Sequence, residues 1–379
     1  MKFRVLRVYH SGVVSGWRER DRQLRLAGCD VRLVSARRWN EGGQDVDLEL
    51  ADDDFVVGTR TWGRHPYVFV YDPLPIVREL RGHRFDLIDV HEEPASLAAL
   101  ELRVLTRLFA RGTPIVFYGA QNIEKRYPIP FRWFERSALR RAAGAHTCNR
   151  EAARIFRAKG LRGVIGVIGL GVDVDRFSPS TQPHRGGPFR LGYVGRLERH
   201  KGLDVVLEAI APLANVRLDV FGVGPERSAL ESTASRLGLS ERVQFHGYAG
   251  YAALPDVYRG FDALVVPSQR TPRWVEQFGR VAVEAMASGL PVLASADGSL
   301  PEVVGDGGVL IPPHEATAWR AAIAALRDDP AEAARLATCA RMRAQRWSWP
   351  EVAGAHRAFY EETIARSVAR SSDRAAARA

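Results

Sequence analysis

Two glutamates separated by seven residues, Glu276 and Glu284, enclose Gln277-Phe278-Gly279-Arg280-Val281-Ala282-Val283. The first stands just ahead of a helix and the second lies about two turns along it. Carboxylates placed in this way can accept paired hydrogen bonds from sugar or ribose hydroxyls. The backbone N–H groups of the neighbours of Glu276 at the head of the helix would add donors there. The plainer reading has Glu276 complementing the helix dipole and Glu284 solvated on an outer face. A second group is Gly195-Arg196-Leu197-Glu198-Arg199-His200-Lys201-Gly202, at the end of a predicted strand. Glycine lets backbone approach an anion closely, and Arg196 and Lys201 add fixed positive charge suited to a diphosphate. A third turn, Tyr9-His10-Ser11-Gly12-Val13, follows the first strand. Neither turn is a G-x-G-x-x-G or a Walker loop, and glycines between strand and helix occur throughout α/β proteins.

The elements that must position these groups read as strands alternating with helices. In the first half, strands are expected at 3–9, 31–35, 85–90, 114–118, 145–148 and 164–168, with helices at 17–27, 96–110, 131–143 and 150–159. The second half repeats the pattern, with strands at 190–194, 216–222, 243–246, 263–267, 291–295 and 308–311, and helices at 203–211, 225–237, 251–259 and 280–288. Short apolar strands between amphipathic helices imply parallel sheets covered on both faces. The Pro-, Gly- and Ser-rich segment 178–188 marks a linker. The expectation is therefore an α/β chain of two doubly wound domains, 1–177 and 189–346. Two such domains facing each other make a cleft, with ligands beyond the carboxyl ends of the strands. A last helix is expected over 351–366 and an unstructured tail over 367–379.

Composition narrows the partners. The 379 residues carry a net charge of +10, with 46% hydrophobic and 26% charged residues, which excludes global disorder and leaves ample material for two cores. Residues 1–187 hold 31 Lys+Arg against 22 Asp+Glu, so nearly all the excess charge lies in the first half. That asymmetry suits an anionic partner such as a membrane surface, although coding bias toward Arg would give the same numbers. No stretch approaches the roughly 18 apolar residues of a membrane span, and the alternation in 1–8 reads as a strand rather than a signal peptide. Three widely spaced cysteines fit a reducing cytoplasm. The expected location is cytoplasmic, with the inner face of the membrane as an option for the basic first domain. Asp52-Asp53-Asp54 lies in an irregular acidic loop and reads as solvated rather than as a D-x-D metal motif, so no metal is expected. Residues 37–66 form an unusual stretch in which Trp39, Arg60 and Trp62 would suit a sugar or an anionic lipid acceptor, aromatics packed in a loop being the alternative. The basic, aromatic segment 131–141 could rest on a bilayer or pack on the sheet as an ordinary helix.

Glu276-x7-Glu284 followed by Ala-Met-Ala-Ser-Gly-Leu-Pro-Val resembles the signature of retaining glycosyltransferases of family 4, which have the GT-B fold. The likeness extends to Gly195-Arg196-Leu197 with Lys201-Gly202, to Gly171-Val-Asp173-Val-Asp175-Arg-Phe177, to Asp262-Ala-Leu-Val-Val-Pro267-Ser268 and to Pro301-Glu302-Val-Val-Gly-Asp306-Gly. Asp89-Val-His91-Glu92-Glu93-Pro94 is similar to the family's acceptor-side region, and Trp347-Ser-Trp349 precedes a helix that in this family crosses back to the first domain. The resemblance implies transfer of a hexose-type sugar from a nucleotide diphosphate sugar, UDP- or GDP-linked. The acceptor would be a saccharide, a lipid-linked or a small-molecule hydroxyl. No other cofactor, no metal and no nucleic acid is implied. Arg196 and Lys201 would neutralise the diphosphate, Glu284 would take the ribose, and Glu276 with the N–H groups of Phe278 and Gly279 would take the sugar. Gly12 and Gly195 would leave room for the diphosphate, and His91 would bond the donor sugar. Attack would come from the front face, with a leaving phosphate oxygen helping to remove the acceptor proton. The N-terminal loop departs from the family in having Ser11-Gly12 for two glycines. Other readings are a nucleotide-sugar epimerase or phosphorylase of the same architecture, or a non-enzymatic basic membrane or nucleic-acid binder. The acidic pair and the Arg–Lys pair lie in the nearly neutral half, which speaks against the binder.

Overall fold

Strands whose side chains are apolar on both faces can be buried only if helices cover both sides. The computed structural model, which describes residues 3–41, 44–49, 51–180 and 186–376, shows two sheets built this way. In the first unit the strands are β1 (Arg4–Val8), β2 (Asp30–Ala36), β3 (Arg38–Glu41), β4 (Gln44–Asp47), β5 (Val56–Thr59), β6 (Thr61–His65), β7 (Val68–Tyr71), β8 (Leu87–Val90), β9 (Ile115–Gly119), β10 (Gly144–Thr147) and β11 (Val164–Val167). Its helices are α1 (Glu19–Leu26), α2 (Pro73–Gly82), α3 (Leu97–Phe109), α4 (Phe131–Arg141) and α5 (Arg150–Ala158). Seven strands pair in the order β11-β10-β9-β8-β1-β2-β5, all parallel. Val5, Leu87 and Val116 point to one side, and their neighbours Leu6, Ile88 and Phe117 to the other, each set inside its own buried cluster.

The second unit has β12 (Phe189–Val194), β13 (Val216–Phe221), β14 (Val243–Gly247), β15 (Ala263–Val266), β16 (Val292–Ser295) and β17 (Gly308–Ile311), paired as β14-β13-β12-β15-β16-β17 and again parallel. Its helices are α6 (Leu203–Ile210), α7 (Arg227–Arg236), α8 (Leu254–Arg259), α9 (Arg280–Ala287), α10 (Leu300–Val304), α11 (Ala316–Asp328) and α12 (Pro330–Ala344). Leu191, Tyr193, Val220 and Val265 of the sheet share a core with Val206 and Ile210 of α6 and Trp319 and Ile323 of α11. A last helix, α13 (Trp349–Ala376), belongs to the first unit, where Tyr360 Oη donates to Asp89 of β8 at 2.6 Å.

Every strand expected for the two main sheets is present, and β5 and α2 are additional. Residues 37–66 hold β5, the antiparallel pair β3–β4 and β6, which pairs with β7. The units divide at Gly169/Leu170 rather than at 177, and at Ser348/Trp349. Residues 170–177 are held in the second unit because Val172 N donates to Trp347 O at 2.8 Å and the Arg341 guanidinium donates to the carbonyls of Val174, Phe177 and Ala287. Of the expected linker, residues 181–185 lie outside the described residues. The expected tail is helical as far as Ala376, since Ala and Arg readily extend a helix already nucleated. Among the described residues no helix is long and apolar enough to cross a membrane. Helix α4 turns Glu135, Ala138 and Leu139 inward and leaves Trp133 exposed.

Candidate active site

In an open parallel sheet, a crevice forms beyond the carboxyl ends of two neighbouring strands whose connections run off in opposite directions. In the second unit those strands are β12 and β15. The turn after β12 enters α6 through Gly202, whose φ of 66° is left-handed and whose Cβ, if present, would sit 2.2 Å from Pro267 O. This close approach sets Lys201 against the loop after β15. Lys201 Nζ lies 2.7 Å from Glu276 Oε2, which also accepts from Ser268 Oγ at 2.9 Å. The ammonium rests 4.4 Å from the centre of the Trp274 ring, and His200 packs on the same ring.

Helix α9 begins at Gly279, where φ is 80° and a Cβ would meet Leu300 at 2.7 Å. It ends in a left-handed turn at Gly289, with Leu290 N bonded back to Ala285 O. Its first turn starts beside Glu276, and the N–H groups of Phe278 and Gly279 have no acceptor among the described residues. The Phe278 ring is buried edge-on against Trp347. Glu284 is not a solvated helix position. It is 3% exposed, accepts from Tyr258 Oη at 2.8 Å, and burial pushes its carboxyl up to about 7 against the opposing pull of Tyr258 and Arg280. Arg196 stands at the surface, paired with Glu198 at 2.8 Å. Gly195 donates its N–H to Phe221 O, and its own carbonyl lies against Gly222.

In the first unit the oppositely running strands are β1 and β8. His10, just after β1, meets Glu92, just after β8, with Nδ1 2.6 Å from Oε2. The His10 backbone N–H and the Tyr71 hydroxyl both reach Glu92 Oε1, at 2.9 and 2.5 Å. Behind this pair runs a fully buried polar network. Asp89 accepts from Arg7, from Tyr360 and from His146 Nε2, and Arg7 pairs also with Asp21. Asp89, His91 and His146 bring three metal-type ligand atoms within 4.8 Å. Two guanidinium groups already occupy them, however: Arg7 on Asp89, and Arg20, whose Nη1 is 2.7 Å from His91 Nε2. A cation would meet like charge there.

The profile of glycosyltransferase family 4 matches residues 10–176, and that of the group 1 glycosyl transferases matches residues 175–343. A 2-deoxystreptamine glucosyltransferase of Streptomyces kanamyceticus is 31% identical over 309 residues, covering 74% of this chain and 78% of that one. The chain belongs to glycosyltransferase family 4. The D-inositol 3-phosphate glycosyltransferase of Streptomyces avermitilis is 34% identical over 230 residues, covering 54% of this chain and 48% of that one, and that of Mycolicibacterium smegmatis 35% over 218, covering 54% and 48%. The chain thus spans about half the length of these two relatives. Sucrose-phosphate synthase from Thermosynechococcus elongatus has a TM-score of 0.72 at 21% identity, over 96% of this chain and 99% of that one. Anabaena HepE, solved with UDP and glucose, has 0.71 at 21%, over 95% and 100%. These two likenesses show the GT-B fold.

Within this glycosyltransferase the structure brings together Lys201, Glu276, Phe278 and Gly279, and sets Glu284 inside the same helix. Other expected residues fall elsewhere. Gly12 does not leave an open space: a Cβ there would lie 2.9 Å from Ser35 Oγ, so the glycine lets the turn pack on β2, and its N–H is bonded to Tyr9 O. His91 has its Nε2 committed to Arg20 and its ring stacked on Tyr118, 4.1 Å between centroids. Burial, with Arg7 and Arg20 nearby, drives its pKa well down, so it stays neutral and Nδ1 is the nitrogen left to donate. Trp39 is a core residue, 7% exposed against His10 and Phe69, while Arg60 and Trp62 are exposed. Asp53 is not solvated: it is enclosed by Arg18 and Arg22. The sequence reading missed His10, Glu92 and Tyr71 as a group. His10 and Glu92 each stand two residues beyond the end of their strands, β1 and β8, and neither local segment signals that they pair.

Proposed function

We propose that this glycosyltransferase is a retaining enzyme that moves a hexose-type sugar from a nucleotide diphosphate sugar to a hydroxyl of a small acceptor. The observation that carries the reading is the meeting of Lys201, Ser268 and Glu276 at the head of α9, beside two N–H groups that have no acceptor among the described residues. Lys201 and Arg196 oppose the charge that develops on the diphosphate as it leaves, and the helix N-terminus adds its dipole. Glu276 holds hydroxyls of the sugar and Glu284 those of the ribose. Attack from the front face gives retention without the paired nucleophile and acid of most glycosidases. With these cations in place the enzyme needs no metal, which a chelator checks: turnover that vanishes with EDTA and returns with magnesium defeats this part.

The bound UDP and glucose of HepE support a UDP-linked hexose as the first donor to try. The names of the relatives, an inositol phosphate and a 2-deoxystreptamine transferase, support a small polyhydroxylated ring as acceptor, ahead of a saccharide or a lipid-linked one. Thermal unfolding with UDP, GDP, ADP and TDP and their sugar conjugates tests the donor. A ligand at a hundred times its Kd adds about 2.7 kcal/mol. If no nucleotide raises Tm the proposal fails, and an inverted anomeric proton in the product defeats retention.

A further inference from the structure

The chain between β15 and Glu276 is a braced loop. Thr271 and Trp274 pair across a tight turn, with Thr271 N donating to Trp274 O at 2.8 Å and Trp274 N donating to Thr271 Oγ1 at 2.9 Å. Arg270, just ahead of the turn, is tied to Asp297 by its backbone N–H at 2.7 Å and its Nε at 3.0 Å. Val275, just behind it, is buried. A turn fastened at both ends thus carries the half-buried Trp274 indole, and Lys201 Nζ sits over that ring, 4.4 Å from its centre. His200 packs on the same indole, with ring centroids 3.9 Å apart and planes 35° from parallel. Burial lowers the His200 pKa against the pull of Glu198, so at neutral pH this imidazole is uncharged and Lys201 brings the charge to the ring.

Resting on the glycosyl-transfer reading above, we propose that Trp274 is a positioning residue that holds the Lys201 ammonium where the diphosphate of the donor meets it. A lysine head is a strongly hydrated point charge on a flexible four-carbon stem, and one carboxylate leaves it a wide arc of positions. Glu276 takes one of its three N–H groups, at 2.7 Å. The indole attracts the charge from a second direction and keeps water from that side. The other two N–H groups have no acceptor among the described residues, and the side chain keeps 19% of its exposure, so phosphate oxygens can reach them. The anion then meets a cation already ordered and partly desolvated, which lowers the cost of binding and strengthens the attraction. A second carboxylate in place of the indole would hold the ammonium as firmly, but it would cancel the charge and repel the phosphates. A ring without net charge does neither.

Calorimetry with the nucleoside diphosphate that most raises Tm reads this role. Trp274→Leu should weaken binding about tenfold, and Trp274→Phe, which keeps an aromatic face, should stay within threefold of wild type. Lys201→Met should also weaken binding, and adding Trp274→Leu to it should change nothing further, because the ring acts through the ammonium. Trp274→Gln serves the same comparison if the leucine variant does not fold. The chain has only four lysines, so carbon-13 methylation of its amines lets Lys201 be followed by NMR, its signal assigned by its loss in Lys201→Met. The indole should shift that signal upfield in the wild type, and Trp274→Leu should return it to the ordinary lysine position. Equal losses from Trp274→Leu with and without Lys201 overturn the proposal, as does a Lys201 signal that Trp274→Leu leaves unmoved. A Trp274→Leu protein that binds the diphosphate as the wild type does overturns it too, and leaves the donor reading standing. If no nucleotide raises the Tm of the wild type, the donor reading fails and this role fails with it.

Discussion

At the break in strand order of the first unit, His10 and Glu92 meet from β1 and β8. At that of the second, Lys201, Ser268 and Glu276 meet beyond β12 and β15. The polar groups of the first edge stand on a network in which Arg7, Asp21, Asp89 and His146 are almost wholly enclosed and bonded to one another, with Asp21 Oδ2 and His146 Nδ1 the atoms of these four left without a partner among the described residues. Removing a further partner from such a network is costly, because a charge left buried and unpaired keeps its full desolvation penalty. At the second edge the cations are held by single carboxylates closer to water. The Arg196–Glu198 pair is 69% exposed on the Arg side, a kind of bond worth only about 0–1 kcal/mol and readily exchanged for a phosphate. One edge is locked by buried partners, and the other keeps charges that a ligand can recruit.

The largest expected effect tests the rigidity of the first edge. Trp39→Ala should cost about 3–5 kcal/mol in denaturant unfolding, because it empties a core site against His10 and Phe69; a loss under 1 kcal/mol would mean that the edge is not packed as described. Next, at the second edge, Glu276→Gln should lower kcat about a hundredfold while leaving nucleotide affinity near wild type, since the side chain serves the sugar. Equal losses in both would place Glu276 on the nucleotide instead. Glu284→Gln should weaken nucleotide binding about tenfold or more. Burial raises the Glu284 carboxyl to about 7, so the ionised form that accepts ribose hydroxyls grows as the pH rises. Calorimetric affinity of the wild type should therefore improve from pH 6 to 8, and that of Glu284→Gln should stay flat. Trp62→Ala, at a side chain 56% exposed, should change stability by no more than about 0.5 kcal/mol, in contrast to Trp39.

Residues of one unusual stretch thus separate on contact rather than on type. Trp39 and Trp62 read alike in sequence, yet β3 turns the first into the core and β6 leaves the second outside. The second edge was legible in part because Glu276, Gly279 and Glu284 fall within a loop and two turns of helix, whereas the contact of Lys201 with Glu276 spans 75 residues. The pairing of His10 with Glu92 spans 82 residues, and nothing in either local segment announces it.

From the sequence alone came the alternation of apolar strands and amphipathic helices, hence two parallel sheets, and the spacing that sets Glu284 two turns beyond Glu276. These are properties of backbone period and neighbouring residues, which a linear chain displays. Tertiary structure alone decided which polar groups lost their water. It enclosed Glu284 and Asp53, fixed His91 as neutral beside Arg20, and aimed His10 with Glu92. It also gave residues 170–177 to the second unit through carbonyls bound by the distant Arg341. Desolvation and long-range pairing depend on what surrounds a group in three dimensions, and residue order carries little of that.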